Sequence, residues 1–175
     1  MRRLMLLRHA KAERSEPGGR DRDRALDKRG RADAPVIGAY MVRHALHPDL
    51  VIVSPATRAR ETWELAVPAF AYVPPTVEEA RLYEATPQNL LDVLKAISPQ
   101  VGTLLLIGHN PGLHELAVLL IAAGDLEARQ RLNEDFPTAG LAVVDFPFDA
   151  WSRLRPHAGR LERFIGPRSL AAATD

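Results

Sequence analysis

Apolar residues along this chain fall into two alternating kinds of run. Short unbroken runs occupy residues 3–7 (RLMLL), 50–53 (LVIV) and 103–107 (TLLLI). Runs of that length, bounded by polar or turn residues, predict buried strands. Between them, apolar positions recur at helical spacing. Ile37, Tyr40, Met41, His44 and Ala45 mark a helix that Asp27 can cap. Pro35 either kinks that helix or sits in the first turn of one beginning near Asp33. Further helices are predicted in residues 56–67, in 86–97 with Thr86 as cap and Pro87 at its first position, and in the apolar stretch 113–124, closed by Gly124. Residues 139–146 and 160–165 read as two last strands, and 72–83 as an extended segment broken by proline. Residues 12–27 are polar and carry glycines, which makes them a loop too long to be a mere connection.

Strands alternating with helices predict βαβ units. The expected fold is α/β: one three-layer domain over residues 1–175, with a largely parallel central sheet and helices on both faces.

Composition narrows this picture only a little. A hydrophobic content of 46% and 26% charged residues suit a globular protein. Twenty-three basic against 22 acidic residues leave a formal net charge of +1, which gives no footprint for nucleic acid or a membrane surface. There are no cysteines, so a cysteine nucleophile, disulfides and thiolate metal sites are excluded. Arg2 and Arg3 precede an apolar run too short for a signal peptide or a membrane span, so a cytoplasmic protein is expected.

The chemistry gathers at the strand ends. Leu7 runs into Arg8-His9, Val53 into Ser54-Pro55-Ala56-Thr57-Arg58, and Ile107 into Gly108-His109-Asn110. In a parallel sheet the carboxyl ends of strands share one edge, and ligands bind in the crevice there. If the three strands are neighbours, two arginines and two histidines meet. Such a pocket calls for an anion with several acceptor oxygens, and phosphate fits because guanidinium pairs with it bidentately. Helix-opening amides after Arg58 and after Pro111 can add donors. Neutral imidazole can accept a phosphoryl group and pass it to water, with the arginines neutralising charge in place of a metal. A zinc site from His9, His109 and His114 is the competing arrangement, disfavoured because two arginines repel a cation.

The segments LLRHAKAE, SPATRARET and LLIGHNPGLHELA, in this order, resemble the histidine phosphatase superfamily. The short length and the GRLERFIGPRSL ending are most similar to its SixA-type phosphohistidine phosphatases. The resemblance runs from residue 3 to about 170 and implies a phosphoglycerate mutase-like fold. It makes His9 the nucleophile, Arg8 and Arg58 the clamp on the phosphoryl oxygens, and His109 a further donor to the same group. It also puts a loop arginine beside the phosphate, Arg24 or its rival Arg22, and Asn110 among the phosphate-binding residues. No cofactor or metal is implied.

Two positions depart from the family's pattern. Ala10 stands where glycine is usual after Arg-His. The proton donor is Glu84, Asp21 or neither, and a weak or missing donor suits phosphohistidine, whose P–N bond breaks more readily than a phosphate ester. The chain also lacks room for large cap insertions, so the site is expected to admit a folded protein. The implied partner is a phosphorylated protein of the histidine phosphotransfer type, and the protein is expected to be a monomer. Phosphomonoester hydrolysis of small metabolites and non-catalytic phosphoryl binding are the alternatives.

Overall fold

Seven strands form one mixed sheet in the computed structural model of the chain, which describes residues 1–173. In chain order they are β1 (Arg2–Arg8), β2 (Leu50–Val53), β3 (Thr76–Glu78), β4 (Thr103–Gly108), β5 (Ile121–Gly124), β6 (Leu141–Phe146) and β7 (Gly159–Ile165). Their order across the sheet is β3-β2-β4-β1-β6-β7-β5. Strand β1 pairs in parallel with β4, β4 with β2, and β2 with β3. Only β6 runs against the rest, pairing antiparallel with both β1 and β7. A two-pronged ion pair from Arg3 to Asp145, 2.8 Å on each prong, fastens β1 to β6.

Helices cover both faces. They are α1 (Lys28–Arg43), α2 (Thr57–Ala66), α3 (Pro87–Lys95), α4 (Gly112–Leu120), α5 (Leu126–Glu134) and α6 (Pro167–Ala173). Strand side chains alternate between faces. Leu4, Leu6, Leu104 and Leu106 therefore pack toward α3, α4 and α5, whereas Met5, Leu7, Leu105 and Ile107 pack toward α1 and α2. Both faces of β1 and β4 are buried, which is why their sequences read as unbroken apolar runs. The expected three-layer α/β architecture is present.

The predicted caps hold. Asp27 accepts from the Gly30 amide at 2.8 Å and Thr86 from the Asn89 amide at 3.1 Å. Helix α1 is continuous from Lys28, so Pro35 lies inside it and no helix starts at Asp33. The largest correction concerns residues 113–124. The helix ends at Leu120, and residues 121–124 form the edge strand β5. Gly124 closes no helix. It has a φ of +119°, and a Cβ there would lie 2.5 Å from the Leu161 carbonyl oxygen of β7. Close approach of two strands therefore requires glycine at this position. Helix α5, capped by Asp125, and helix α6 lie in stretches from which no element is predicted.

Among the described residues no helix is long and apolar enough to cross a membrane.

Candidate active site

Strands β2, β4 and β1 are consecutive in the sheet, so the condition for convergence is met at their carboxyl edge. His9 is 8% exposed. Its Nδ1 lies 2.8 Å from the Ala10 carbonyl. A carbonyl only accepts, so Nδ1 carries the hydrogen and Nε2 presents a lone pair. The turn that fixes this ring is itself fixed. Thr62 of α2 accepts from the Ala10 amide at 2.9 Å and donates to the Arg58 carbonyl at 2.7 Å. Ala139, held at a φ of 58°, donates its amide to the carbonyls of Arg8 and His9. Ala10 is not among the residues with positive φ, so alanine in place of glycine is unstrained.

Arg58, 7% exposed, sits in the first turn of α2, not ahead of it. Its Nε donates to His9 Nε2 at 3.4 Å. Its two terminal nitrogens reach the loop between β1 and α1, one to the Asp21 carbonyl at 2.8 Å and one to the Asp21 carboxylate at 3.0 Å. Tyr83 donates to the same carboxylate at 2.6 Å and Arg24 at 2.8 Å. These three donors, the Tyr83 hydroxyl first, hold Asp21 well below the usual carboxylate range. In this arrangement Asp21 is ionised and carries no proton to donate.

His109 faces His9, with ring centroids 5.1 Å apart. Its Nε2 is 2.7 Å from the hydroxyl of Ser54, a residue with no exposed surface. Ser54 Oγ also accepts from the Ala56 amide, and with a second lone pair and its own hydrogen it can either accept from or donate to His109 Nε2. The other ring nitrogen of His109, Nδ1, is buried without a partner among the described residues, and it carries the ring hydrogen when Ser54 donates. Arg8 Nε is in the same condition, although Arg8 Nη1 donates to the Phe136 carbonyl at 3.0 Å. Buried donors ordinarily find acceptors. Two nitrogens left open at the edge where His9 presents a free lone pair can hold an oxygen-rich anion.

Both histidines are neutral at physiological pH. Burial, aided by His109, Arg58 and Arg8, pushes His9 down to about 3. Burial, with Arg58 and Arg8, pushes His109 down to about 4. Burial also lowers Arg8, which an anion beside it would reverse.

The model of the histidine phosphatase superfamily (branch 1) matches residues 4–89. A structure described as the phosphohistidine phosphatase SixA of Agrobacterium tumefaciens superposes with a TM-score of 0.81 at 32% identity, covering 95% of this chain and 98% of that one. The chain belongs to the histidine phosphatase superfamily and is of the SixA type. A structure similarly described from Nakamurella multipartitia gives a TM-score of 0.82 at 25% identity, with 95% and 96% covered. An uncharacterised protein of Mycobacterium tuberculosis is 33% identical over 165 residues, 93% of this chain and 100% of that protein.

The SixA-type chain brings Arg8, His9, Arg58 and His109 together, and it distributes the other candidates around them. Arg24 reaches the centre only through Asp21, and its Nε is spent on the Glu13 carbonyl at 2.7 Å. Arg22 lies over the Tyr83 ring, 5.7 Å from its centroid. Asn110 donates to the Phe136 carbonyl at 2.9 Å, sharing that acceptor with Arg8. Glu84 lines a 430 Å³ pocket together with Arg58 and His109 and adopts a left-handed φ of 53°. Gly112 permits this, because a Cβ there would lie 2.1 Å from the carbonyl oxygen of Ala85. His114 is turned to the Leu132 carbonyl, and the described residues contain no cluster of three metal-ligating side chains. Ser54, Thr62 and Tyr83 were not foreseen as site residues. Ser54 and Thr62 had a signal, since they open and close the SPATRARET segment; Tyr83 had none beyond proximity to Glu84.

Proposed function

We propose that this phosphatase removes the phosphoryl group of a protein phosphohistidine through a covalent intermediate on His9. The observation that carries the proposal is the pair of buried, unpartnered nitrogens, Arg8 Nε and His109 Nδ1, at the sheet edge where His9 presents its unprotonated Nε2, with the two imidazole rings 5.1 Å apart. His9 Nε2 attacks phosphorus in line, and the P–N bond to the substrate imidazole breaks. The departing imidazole, protonated at its second nitrogen, leaves as a neutral ring. Water then attacks phosphorus, the P–N bond to His9 breaks, and inorganic phosphate departs. Arg8, Arg58 and His109 stabilise the charge on the equatorial oxygens in both steps.

Arg58 is the residue with two duties. It donates to His9 and simultaneously binds Asp21. A phosphoryl group on His9 therefore competes with the Asp21 carboxylate for one guanidinium. Tyr83 and Arg24 retain Asp21 when Arg58 turns inward, so the loop need not detach.

Phosphomonoester hydrolysis is a second reading, and Glu84 favours it. A glutamate held in left-handed backbone at a pocket wall stores roughly 1–3 kcal/mol of strain, and such strain clusters at working sites. An alkoxide leaving group needs the proton Glu84 can bring; imidazole hardly does. The test is kcat/KM for a phosphohistidine-bearing phosphotransfer protein against a simple aryl phosphate, with His9→Ala as blank. A preference of about a hundredfold or more for the protein supports the proposal. Equal or better ester hydrolysis moves the function to small phosphomonoesters. Binding of phosphate with turnover of neither substrate leaves a phosphoryl-binding module.

A further inference from the structure

On the opposite side of His9 from Glu84 lies a second cleft, of 480 Å³, that the chemistry above does not use. Arg8 forms part of its wall, and Lys11, Arg29, Arg131 and Arg168 surround it against a single carboxylate, Asp135. These cations come from the segment after β1, from α1, from α5 and from α6. Four of them are exposed. The chain as a whole carries a net charge of only +1, so five cations around one opening are a local concentration and not a consequence of composition. Nor do they neutralise one another with nearby acids. Lys11 and Arg168 form no ion pair among the described residues, and Arg29 reaches Asp33 only at 3.6 Å. Arg131 lies over the Phe164 ring and donates to the Phe164 carbonyl.

The sheet order explains the placement. β1 is flanked by β4 and β2 on one side and by β6 and β7 on the other. The Glu84 pocket belongs to the first side and is lined by three carboxylates, Asp21, Glu84 and Glu115, with Arg58, already paired to Asp21, the one arginine among its lining residues. The cationic cleft belongs to the second side, at the end of β7. Any chain presenting a phosphoryl group to His9 must lay its neighbouring residues across one of these walls. A wall of carboxylates repels acidic residues, and a wall of exposed cations around a single carboxylate attracts them.

We propose that the cationic cleft binds an acidic segment of the protein substrate, carboxylates flanking the phosphorylated residue, and thereby fixes the direction in which the substrate lies across His9. The inference rests on the substrate being a protein. Exposed ion pairs contribute modestly one by one, so recognition comes from several acting together, and it weakens with salt.

Fluorescence anisotropy with the full-length protein tests this, using a labelled peptide rich in Asp and Glu and its Asn/Gln analogue as probes. Wild type and His9→Ala should bind the acidic peptide equally and the neutral analogue about tenfold less tightly. Because His9→Ala turns nothing over, this outcome is independent of whether phosphohistidine is hydrolysed. Lys11→Gln/Arg168→Gln should weaken the acidic peptide about five- to tenfold, and about 0.5 M salt should do the same to wild type. The double variant should keep its kcat/KM for an aryl phosphate within about twofold, because neither residue touches the reacting group. Equal binding of both peptides, or undiminished binding by the double variant, would overturn the proposal. Binding of pyrophosphate without affinity for the acidic peptide would overturn it in favour of a small diphosphate ligand.

Discussion

The two walls flanking His9 are built from the same sheet edge and differ in almost every physical respect. The wall beside β4 and β2 is acidic, ordered by internal hydrogen bonds, and strained at Glu84. The wall beside β6 and β7 is cationic, and two of its cations have no internal partner. Ionised or strained groups that the fold has already partnered are positioned to act on a bound atom. Exposed groups without partners are positioned to act at a distance. Under the roles proposed above, the difference separates chemistry from recognition: proton transfer and control of Arg58 on one side, attraction of the substrate on the other.

Removing what both walls share gives the largest effect. His9→Ala should reduce turnover of every phosphorylated substrate by at least about 10⁴-fold while leaving the circular dichroism spectrum intact. Glu84→Gln probes the acidic wall alone. It should lower alkyl phosphate hydrolysis about a hundredfold and phosphohistidine hydrolysis far less, because an alkoxide demands a proton on leaving and imidazole hardly does. Equal losses on both substrates would remove the distinction between proton-demanding and undemanding leaving groups.

The buried centre can also be read through stability. His9 titrates at about 3 when folded, below the usual 6.5 of a free histidine. Between those values the unfolded chain binds a proton that the folded one refuses, so stability is full above pH 6.5 and falls as the pH drops toward 3. The loss between pH 7.5 and pH 5 should be about 2 kcal/mol greater for wild type than for His9→Ala in urea unfolding. Thr62→Val should cost about 1–3 kcal/mol at pH 7, because the buried Ala10 amide loses its acceptor. Smallest is the effect of salt. Raising ionic strength should weaken turnover of an acidic protein substrate severalfold and barely touch that of an aryl phosphate.

Much of this molecule was legible in its sequence, for identifiable reasons. Leu4–Leu7 and Leu104–Ile107 are buried on both faces, so nothing interrupts their apolar runs, and the candidate site residues stand just past them, Arg8 and His9 after the first and His109 beyond Gly108 after the second. Residues 113–124 misled because helix α4 and edge strand β5 are both apolar and no turn residue separates Leu120 from Ile121. Periodicity cannot divide such a run. Helix α5 had its signal in Asp125, which accepts from the Ala128 amide. Among the candidate site residues, those in continuous motifs were found. The Asp21–Tyr83–Arg58 linkage was not, since it joins a loop, a turn and a helix that only the tertiary fold brings together. The opposed charges of the two walls were hidden for the same reason, because they cancel in the total.

The central claim is that His9 carries the phosphoryl group. Rapid acid-free quenching of a single turnover, followed by peptide mapping, tests it most directly. The account predicts one phosphoryl group on His9 that survives alkali, is lost in acid, and forms and decays at rates compatible with turnover. Steady turnover with no phosphorylated His9 at any time point would contradict it.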